Sequence, residues 1–482
     1  MTPAHVAAVK NTKNAAAWAS SRAMPTLFSH FQDVEAHLAK MGLFHQDLRL
    51  ERMERALAAL GLSGSSRLPF RVVQILGTNG KGSTAAFLDS LARQHGCRTG
   101  LYTSPHFVSP AERIRINGQP VSTALWAASA NKIMAAVPEL TYFEFLTVLA
   151  LLLFQDARAD LVILEAGLGG RHDATTAVAA DLLCFTPVAL DHCDILGNSL
   201  YEIATDKAAA IRSAAPVCTA VQFPQVAAVL RQAASRHNAP LEEAPPLPSE
   251  VGRLGLAGTH QRGNAGLALA AWRKLAPLLG REAGTPQSWA KALRHAFIAG
   301  RLQVAPATPE RPALLLDGAH NPHGMNTLVA ALKSGLPTAS PPQAVIFSCL
   351  ADKDWPTSAR MLKAALPPDC PVFVPGLDNP RAADPAGVCR FWNTLPRGGH
   401  AQVQDGPHAV QKALARAAAA RSHTQDTRAD TGPVLVTGSL YLLAEVFALY
   451  PRLLVAPHIK PNGIPTGLPQ NTPEASPRKD KI

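Results

Sequence analysis

The sequence predicts an α/β protein of two domains, and three features of the chain lead to this prediction. From about Arg71 onward, short runs rich in β-branched residues alternate with amphipathic stretches, which is typical of parallel sheets covered by helices. Two proline-rich breaks, at 239–249 and 305–312, interrupt that alternation. The length of 482 residues is sufficient for two or three domains.

The second break and the limits of the apolar periodicity give the domain boundaries. We predict a flexible extension at 1–31, a first domain at 32–305, a second and smaller α/β domain at 306–455, and a disordered tail at 456–482. The two terminal segments contain few periodic apolar residues, so they bury too little apolar surface to fold by themselves.

The individual elements follow from the spacing of apolar residues. Short apolar runs predict buried strands, and longer stretches with apolar residues every three or four positions predict helices. In the first domain, we predict strands at 72–76, 161–164 and 182–186 and helices at 31–60, 83–95, 143–157, 201–212, 264–278 and 287–299. In the second domain, we predict strands at 313–316, 344–348, 372–374 and 433–437, with helices between them.

Charge and cysteine content argue against several classes of protein. The net charge is +11, but residues 1–31 contribute +3 and residues 456–482 contribute +2. No folded segment shows a basic stripe interleaved with aromatic residues, so we expect no nucleic-acid partner. The longest apolar run, at 145–154, is too short to span a bilayer, so we expect no membrane association. Seven cysteines without a C-x-x-C pair predict a reducing compartment, and we expect a cytoplasmic monomer.

The most specific motif is the sequence GTNGKGST at 77–84, which lies between the apolar run at 72–76 and an amphipathic helix. In that context, glycines let backbone N–H groups surround phosphate oxygens at a helix N-terminus. Lys81 would neutralise the β- and γ-phosphates of ATP. The motif departs from G-x-x-x-x-G-K-[ST], because Ile75 occupies the first glycine position and Gly82 follows the lysine. The predicted ATP-binding residues are Thr78, Asn79, Gly80, Lys81, Gly82 and Ser83.

Eleven further short motifs follow the phosphate loop in a fixed order. They lie at 103–106 (TSPH), 112–118 (ERIRING), 141–144 (TYFE), 165–171 (EAGLGGR), 189–192 (ALDH), 206–208 (DKA), 260–264 (HQRGN), 300–301 (GR), 317–322 (DGAHNP), 350–354 (LADKD) and 437–439 (TGS). In this order, over roughly residues 43–445, the chain resembles the folylpolyglutamate synthase family of the Mur-ligase superfamily, and in particular its bacterial bifunctional dihydrofolate synthase branch.

The resemblance implies a fold and a reaction. The fold would be an N-terminal Mur-ligase-like ATPase domain and a smaller C-terminal Rossmann-like domain, with ATP and Mg²⁺ in the cleft between them. In the implied reaction, a substrate carboxylate attacks the γ-phosphate, and the amine of glutamate displaces phosphate from the resulting acyl phosphate. The implied acceptors are dihydropteroate and folates. A monofunctional folylpolyglutamate synthase and another Mur-type ligase remain alternatives.

The resemblance also implies roles for the residues that hold metal and nucleotide. Ser104, Glu165 and His192 match Mg²⁺ ligands, and Lys207 matches a carbamylated lysine that binds a second Mg²⁺. The residues after Lys207 are three alanines rather than the usual Ala-Gly-Ile, a change beside the lysine and not on it. Nucleotide contacts are implied for Asn264, Arg301, Asp317 and His320, and the catalytic set is Lys81, Lys207, His192 and Arg301.

Two segments match the pterin-binding residues of the family. Asp173 is the strongest of these candidates, because a carboxylate accepts hydrogen bonds from the 2-amino and ring N–H groups of a pterin. Its neighbours His172 and Thr176 replace the usual leucine and asparagine. The implied substrate-binding residues are Thr141, Tyr142, Phe143, Glu144, His172, Asp173 and Ala174.

Overall fold

The computed structural model describes residues 27–42, 49–63, 68–334, 338, 340–396, 398–420 and 432–456. Most of the predicted extension and nearly all of the predicted tail therefore lie outside the described residues. Phe28, which belongs to the segment predicted as an extension, is buried. Its backbone N–H donates a hydrogen bond to Oδ1 of Asn131 at 2.9 Å.

The first domain is built on an eight-stranded sheet. Its elements are α1 (Phe31–Met41), α2 (Glu51–Ala59), β1 (Arg71–Leu76), α3 (Lys81–Gln94), β2 (Thr99–Tyr102), β3 (Ile114–Ile116), β4 (Gln119–Pro120), α4 (Trp126–Ala136), α5 (Tyr142–Asp156), β5 (Leu161–Glu165), β6 (Leu182–Phe185), α6 (Cys193–Leu196), α7 (Leu200–Ala208), β7 (Val217–Thr219), α8 (Pro224–Arg236), β8 (Leu241–Glu243), α9 (Gln261–Leu278) and α10 (Pro286–Arg294).

The strand order is β4-β3-β2-β5-β1-β6-β7-β8, and the six strands from β2 to β8 in this order run parallel. Alternate residues of β1 face different apolar clusters: Val72 packs with α4 and α5, and Val73 packs with α3 and α9. The central strands are therefore apolar on both faces, which is why they were predictable as continuous apolar runs.

The predicted helix at 31–60 is wrong as a single element. The structure has two helices, α1 and α2, and residues 43–48 between them lie outside the described part. Helix α1 ends at Met41, and Gly42 follows with a φ of 74°. Glycine adopts this left-handed conformation at little cost, so it is a common residue just after a helix.

The second domain contains a six-stranded sheet in the order β13-β12-β11-β14-β10-β9. All neighbouring strands are parallel except β9, which is antiparallel to β10. Because β9 is part of this sheet, the second sheet begins at Gln303. The elements are β9 (Gln303–Ala305), β10 (Leu314–Leu316), α11 (Pro322–Ser334), β11 (Ala344–Phe347), α12 (Trp355–Lys363), β12 (Val372–Pro375), α13 (Pro385–Thr394), β13 (Ala401–Gln404), α14 (Ala409–Ala419), β14 (Val434–Thr437) and α15 (Leu440–Leu449).

The two sheets direct their carboxyl edges toward one cleft. In the first sheet, the loops after β1, β2, β5 and β6 line it; in the second, the loops after β10, β11 and β14 do so. Open parallel sheets bind ligands at this edge, because the strand ends and helix N-termini converge there. Among the described residues, no helix is both long and apolar enough to cross a bilayer.

Two glycines of α9 provide a test of how this helix packs. A Cβ atom at Gly266 would overlap the carbonyl oxygen of Pro245, whereas a Cβ at Gly263 would meet nothing within 4 Å. We expect Gly266→Ala to destabilise the protein by about 1–3 kcal/mol, because a backbone segment must shift. Gly263→Ala should be neutral or stabilising by up to about 1 kcal/mol, because alanine favours helix. Equal unfolding midpoints of the two variants in urea would contradict the described packing.

Candidate active site

The cleft between the domains contains a cavity of about 500 Å³. Most of the residues predicted for the site line it. They are Thr78, Asn79, Gly80, Lys81, Gly82, Ser104, Thr141, Tyr142, Phe143, Glu144, Glu165, His172, Asp173, Ala174, His192, Lys207, Arg301 and His320. Ser83, Asn264 and Asp317 do not line it.

The phosphate loop leaves β1 in a conformation that requires glycine. Gly80, the residue before α3, has a φ of 93°, and a Cβ there would collide with the side chain of Asn264. The Thr78 hydroxyl donates to the carbonyl oxygen of Ala189 and accepts from its N–H, both at 3.0 Å, which ties the loop to the segment after β6. Nζ of Lys81 donates to the loop's own carbonyls, Gly77 at 3.3 Å and Thr78 at 3.1 Å.

Ser83 and Asn264 support the loop from behind. Nδ2 of Asn264 donates to Oε1 of Gln261 at 2.9 Å, and Nε2 of Gln261 donates to the Ser83 hydroxyl at 3.3 Å. All three side chains are buried. They therefore fix α9 against the start of α3 on the side of the loop that faces away from the cavity.

Glu165 ends β5, the neighbour of β1, and its carboxylate lies beside the start of α3. Its Oε2 accepts a hydrogen bond from the backbone N–H of Ser104 at 3.0 Å, whereas Oε1 has no donor among the described residues. Burial raises the pKa of the Glu165 carboxyl, and the positive charges of Lys81 and Arg301 partly oppose that rise. An oxygen without a donor at this position is available to a cation.

Asp191 joins the two domains. Its Oδ1 accepts from Nζ of Lys353 at 2.8 Å, and its Oδ2 accepts from Nδ2 of Asn321 at 2.8 Å. Nε2 of His320 lies 3.9 Å from Oδ2. Burial by itself would raise the pKa of Asp191, but His192, His320 and Lys353 outweigh that effect and hold this pKa below its usual range. The carboxylate is therefore ionised at neutral pH. It binds the side chains of Lys353 and Asn321 and lies near that of His320.

His192 follows Asp191 and lies in the left-handed conformation, with a φ of 52°, at the start of α6. Its side chain faces the open cleft and makes no hydrogen bond to a described residue. Partial desolvation between the cleft walls lowers its pKa, Lys353 and Lys81 lower it further, and Asp191 opposes them. The imidazole is thus neutral at pH 7, the form that binds metal.

Lys207 is a buried amine that lines the cavity, and it makes no hydrogen bond or ion pair with a described residue. Its neighbour Asp206 accepts from the N–H of Gly170 at 2.9 Å, which holds α7 against the loop after β5. Gly170 is needed there, since a Cβ would overlap the backbone of Lys207. Burial lowers the pKa of Lys207 to about 7, and the charge of Lys81 adds to that decrease, with Asp206 opposing it.

Arg301 precedes the first strand of the second sheet and also makes no hydrogen bond to a described residue. Asp317 lies next to it, but its carboxylate is occupied by the N–H groups of Leu302 at 2.9 Å and Ala319 at 3.0 Å. Burial raises the pKa of Asp317, and Arg301 opposes the increase. Asp317 therefore shapes the backbone beside Arg301, and its contact with the nucleotide stays a prediction.

The predicted pterin-binding segments line the cavity, but their two carboxylates already accept hydrogen bonds from protein groups. Glu144 accepts two hydrogen bonds of 3.0 Å from the guanidinium of Arg52 and one of 2.8 Å from the N–H of Thr141. Asp173 accepts from the N–H groups of Gly167 at 2.8 Å and Leu168 at 2.9 Å, and its other oxygen accepts from the N–H and hydroxyl of Thr175. Burial raises the pKa of Asp173, and these donors oppose the rise.

The sequence analysis did not assign the residues that connect the domains. Asp191 and Lys353 lie within the ALDH motif at 189–192 and the LADKD motif at 350–354. Each motif follows a predicted strand, and that position is the sequence feature that could have indicated a role at the cleft. A second connection joins Nδ2 of Asn79 in the phosphate loop to Nδ1 of His323 in α11, at 2.9 Å. No sequence pattern indicated that contact.

The residues present fit a Mg²⁺ ion. Glu165 contributes a carboxylate oxygen without a donor, and Ser104 lies beside it. Within the described ranges, no three His, Cys, Asp or Glu side chains form a metal-binding group. Mg²⁺ suits so sparse a set, because it keeps several water ligands and is commonly held by one or two carboxylates together with substrate phosphates.

Comparisons with known proteins identify relatives that span most of the chain. The chain is 31% identical over 455 residues to the dihydrofolate synthase/folylpolyglutamate synthase of Bacillus subtilis (strain 168), which corresponds to 87% of this chain and 99% of that protein. It is 31% identical over 430 residues, 81% of this chain and 92% of the relative, to the folylpolyglutamate synthase of Lacticaseibacillus casei. None of the protein-family profiles matches the chain.

Solved structures match both domains. The structure of E. coli FolC in complex with DHPP and ADP has a TM-score of 0.72 at 29% identity and covers 89% of this chain and 99% of that one. A bifunctional folylpolyglutamate synthase/dihydrofolate synthase with Mn, AMPPNP and L-glutamate bound has a TM-score of 0.68 at 28% identity, with 88% of this chain and 99% of that one covered.

This protein is an ATP-dependent ligase with the two-domain, Mur-ligase-like architecture. The phosphate loop, its position in the cleft beside the second domain and the similarity to the solved structures support this class. Nucleotide and divalent metal bind in the solved relatives. The chain belongs to the dihydrofolate synthase/folylpolyglutamate synthase family.

The contact between Asp191 and Lys353 can be measured by a double-mutant cycle. We expect Asp191→Asn and Lys353→Met to couple by about 1–3 kcal/mol in urea unfolding at pH 7, because both side chains are largely buried. The pKa of Asp191 is lowered on folding, so its contribution is complete above pH 3.8 and should decrease as the pH falls below that value.

The matched control is the exposed pair of Asp384, which precedes α13, and Arg390 within that helix, at 3.4 Å. The variants Asp384→Asn and Arg390→Met should show almost no coupling, because solvent screens the charges. Equal coupling in the two pairs would contradict a specific contact between the domains.

Proposed function

We propose that this protein adds L-glutamate to 7,8-dihydropteroate, giving dihydrofolate, and adds further γ-linked glutamates to tetrahydrofolate, with conversion of ATP to ADP. A carboxylate oxygen of the acceptor attacks the γ-phosphorus of ATP, and ADP leaves. The amine nitrogen of glutamate then attacks the carbonyl carbon of the acyl phosphate, and phosphate leaves with loss of a proton from nitrogen. Solved relatives with DHPP and ADP, or with AMPPNP and L-glutamate, support these substrates.

The observation that carries the proposal is the set of cations around one cavity. Lys81 lies on the wall formed by the first domain, and Arg301 lies at the junction with the second. Arg301 has no acceptor among the described residues, so its guanidinium is available for charge that develops on the transferring phosphoryl group. Lys81 donates only to backbone carbonyls and can exchange these for phosphate oxygens.

The acceptor is proposed to lie between the segment at 141–144 and the loop that contains Asp173. Phe143 and Tyr142 supply aromatic surface at the cavity wall. Asp173 accepts four hydrogen bonds, so it is proposed to shape the acceptor site by fixing the loop after β5 rather than by accepting directly from the pterin ring. Thr141, Glu144, His172 and Ala174 complete this part of the wall.

Ser104, Glu165 and His192 are proposed to hold one Mg²⁺, and Lys207, as a carbamate, a second. When bound, the metal would offset the negative charge of the phosphates and the acceptor carboxylate. The unprotonated amine of Lys207 attacks the carbon of CO₂; an N–C bond forms and a proton leaves, which gives an anion with two oxygens. Three features favour this at Lys207: the amine is buried, it has no partner among the described residues, and its pKa is about 7.

We also propose that the protein acts in the cytoplasm as a monomer. All seven cysteines are free thiols, and six of them are buried. This usage suits a reducing compartment. Both walls of the cavity come from one chain, so the site needs no residue from a second copy.

The proposed function is tested by offering purified protein ATP, Mg²⁺ and glutamate with either dihydropteroate or tetrahydrofolate. We expect ADP release only when an acceptor and glutamate are both present, and glutamylated product with each acceptor. Product from tetrahydrofolate alone would restrict the protein to a monofunctional folylpolyglutamate synthase. ADP release without any acceptor or product would contradict ligase activity.

In the same assay, Lys81→Ala should lower turnover by at least ~10²-fold, because the variant loses a cation at the transferring phosphoryl group. Lys132→Ala is the matched control, since Lys132 is an exposed lysine of α4. Its turnover should equal that of the unaltered protein. Near-normal turnover by folded Lys81→Ala would refute the role of the phosphate loop.

The carbamate gives a separate prediction. Lys207→Ala should be nearly inactive and partly rescued by acetate, which restores a carboxylate in the space left by the side chain. Lys207→Arg should also be inactive, because arginine keeps the charge but does not form a carbamate. The unaltered protein in ¹³C-bicarbonate should show a carbamate carbon signal that both variants lack. Normal turnover by Lys207→Arg would mean that the lysine acts as a cation.

A further inference from the structure

A second cavity, of about 300 Å³, lies away from the catalytic cleft. It is bounded by the C-terminal half of α3, the edge strands β3 and β4, the segment after α10, and residues 454–456 at the end of the second domain. Arg93 on its wall follows Lys81 by twelve positions in α3, so the two ends of this helix are about 18 Å apart. The cavity therefore contacts both domains without sharing a residue with the site described above.

Arg115 provides the unexplained charge in this cavity. It projects from β3, opposite Leu101 of β2, and its Nε is buried without an acceptor. No hydrogen bond or ion pair joins its guanidinium to any residue that the structure describes. The nearby carboxylate of Glu112 accepts from the backbone N–H groups of Phe107, Val108 and Ser109 instead. Arg115 as a whole is half-buried, and its remaining N–H groups also have no acceptor among the described residues, so they are available to a ligand in the cavity.

Arg93 adds a second guanidinium beside the first. Its Nε donates to Oδ2 of Asp89 at 2.8 Å, and its Cζ lies against the backbone of Gly118, where a Cβ would come within 2.9 Å. The other carboxylate oxygen of Asp89 accepts from the hydroxyl of Thr99. Among the described residues that line the cavity, Asp89 is thus the one carboxylate, bound on both oxygens, against the two guanidiniums of Arg93 and Arg115. Glu112 lies close enough to Arg115 to offset part of its charge, but backbone N–H groups occupy its oxygens.

We propose that this cavity is a binding site for a small oxyanion ligand, a molecule that carries a phosphate or carboxylate group. The two forks of N–H donors match the oxygens of such groups. The volume suits a small molecule rather than a nucleotide or a polymer. Asn117 and Gln119 on the β3–β4 turn provide polar rim groups. The ligand would neutralise Arg115 and connect α3 to the end of the second domain.

The test uses full-length protein saturated with Mg²⁺ and AMPPNP, so that the phosphate loop is filled. Inorganic phosphate and succinate are titrated separately by calorimetry, and this separates a phosphate ligand from a carboxylate one. We expect at least one of them to bind and Arg115→Met to weaken that binding by at least ~10-fold. Arg231→Met, which removes an exposed arginine of α8, should bind as the unaltered protein does.

Melting temperatures measured by thermal unfolding test separately whether Arg115 is the residue that binds the anion. Without added anion, Arg115→Met should melt at a higher temperature than the unaltered protein, because it removes a half-buried cation whose buried Nε has no acceptor among the described residues. Saturating anion should raise the melting temperature of the unaltered protein and of Arg231→Met but not of Arg115→Met. Absence of binding by the unaltered protein, or equal binding by Arg115→Met, would overturn the proposal.

Discussion

The arrangement of the catalytic cleft depends on the contacts of Asp191. This residue follows β6, next to the strand that leads into the phosphate loop, and both of its carboxylate oxygens are bound by the second domain through Lys353 and Asn321. Together with the contact between Asn79 and His323, the contacts of Asp191 set the separation between the phosphate loop and the second domain. Apolar contacts also join the domains, among them the rings of Phe107 and Phe447, whose centroids are 4.6 Å apart. The polar contacts lie at the cleft itself, where substrates and products would compete for them.

The cleft combines basic side chains with two groups whose pKa values are lowered. Lys81 and Arg301 face the place where phosphate charge would gather. Burial lowers the pKa of Lys207 to about 7, and the surroundings of His192 also lower its pKa, so neither adds a full positive charge at neutral pH. The lowered pKa values reduce the repulsion among the basic groups of the cleft and leave lone pairs available for metal or CO₂.

Several carboxylates at the site act on the backbone. Asp173 and Asp317 each accept from two or more backbone N–H groups, and Glu144 is bound by Arg52. Their buried oxygens are satisfied internally, and the loops they hold carry the exposed groups of the cavity wall. A carboxylate in a family motif can therefore be essential to the shape of a site through the amides that it orients.

The sequence by itself determined the central strands, the phosphate loop and the order of the motifs, because these depend on residues that are neighbours along the chain. It missed short edge strands such as β8 and β13, which are partly exposed and so lack a continuous apolar run. Only the tertiary structure decided which polar groups have partners. Lys353 reaches Asp191 from 162 positions away, whereas the buried Lys207 and the half-buried Arg115 have no acceptors among the described residues. Hydrogen bonding and burial depend on which distant segments the fold brings together, and no local pattern records that.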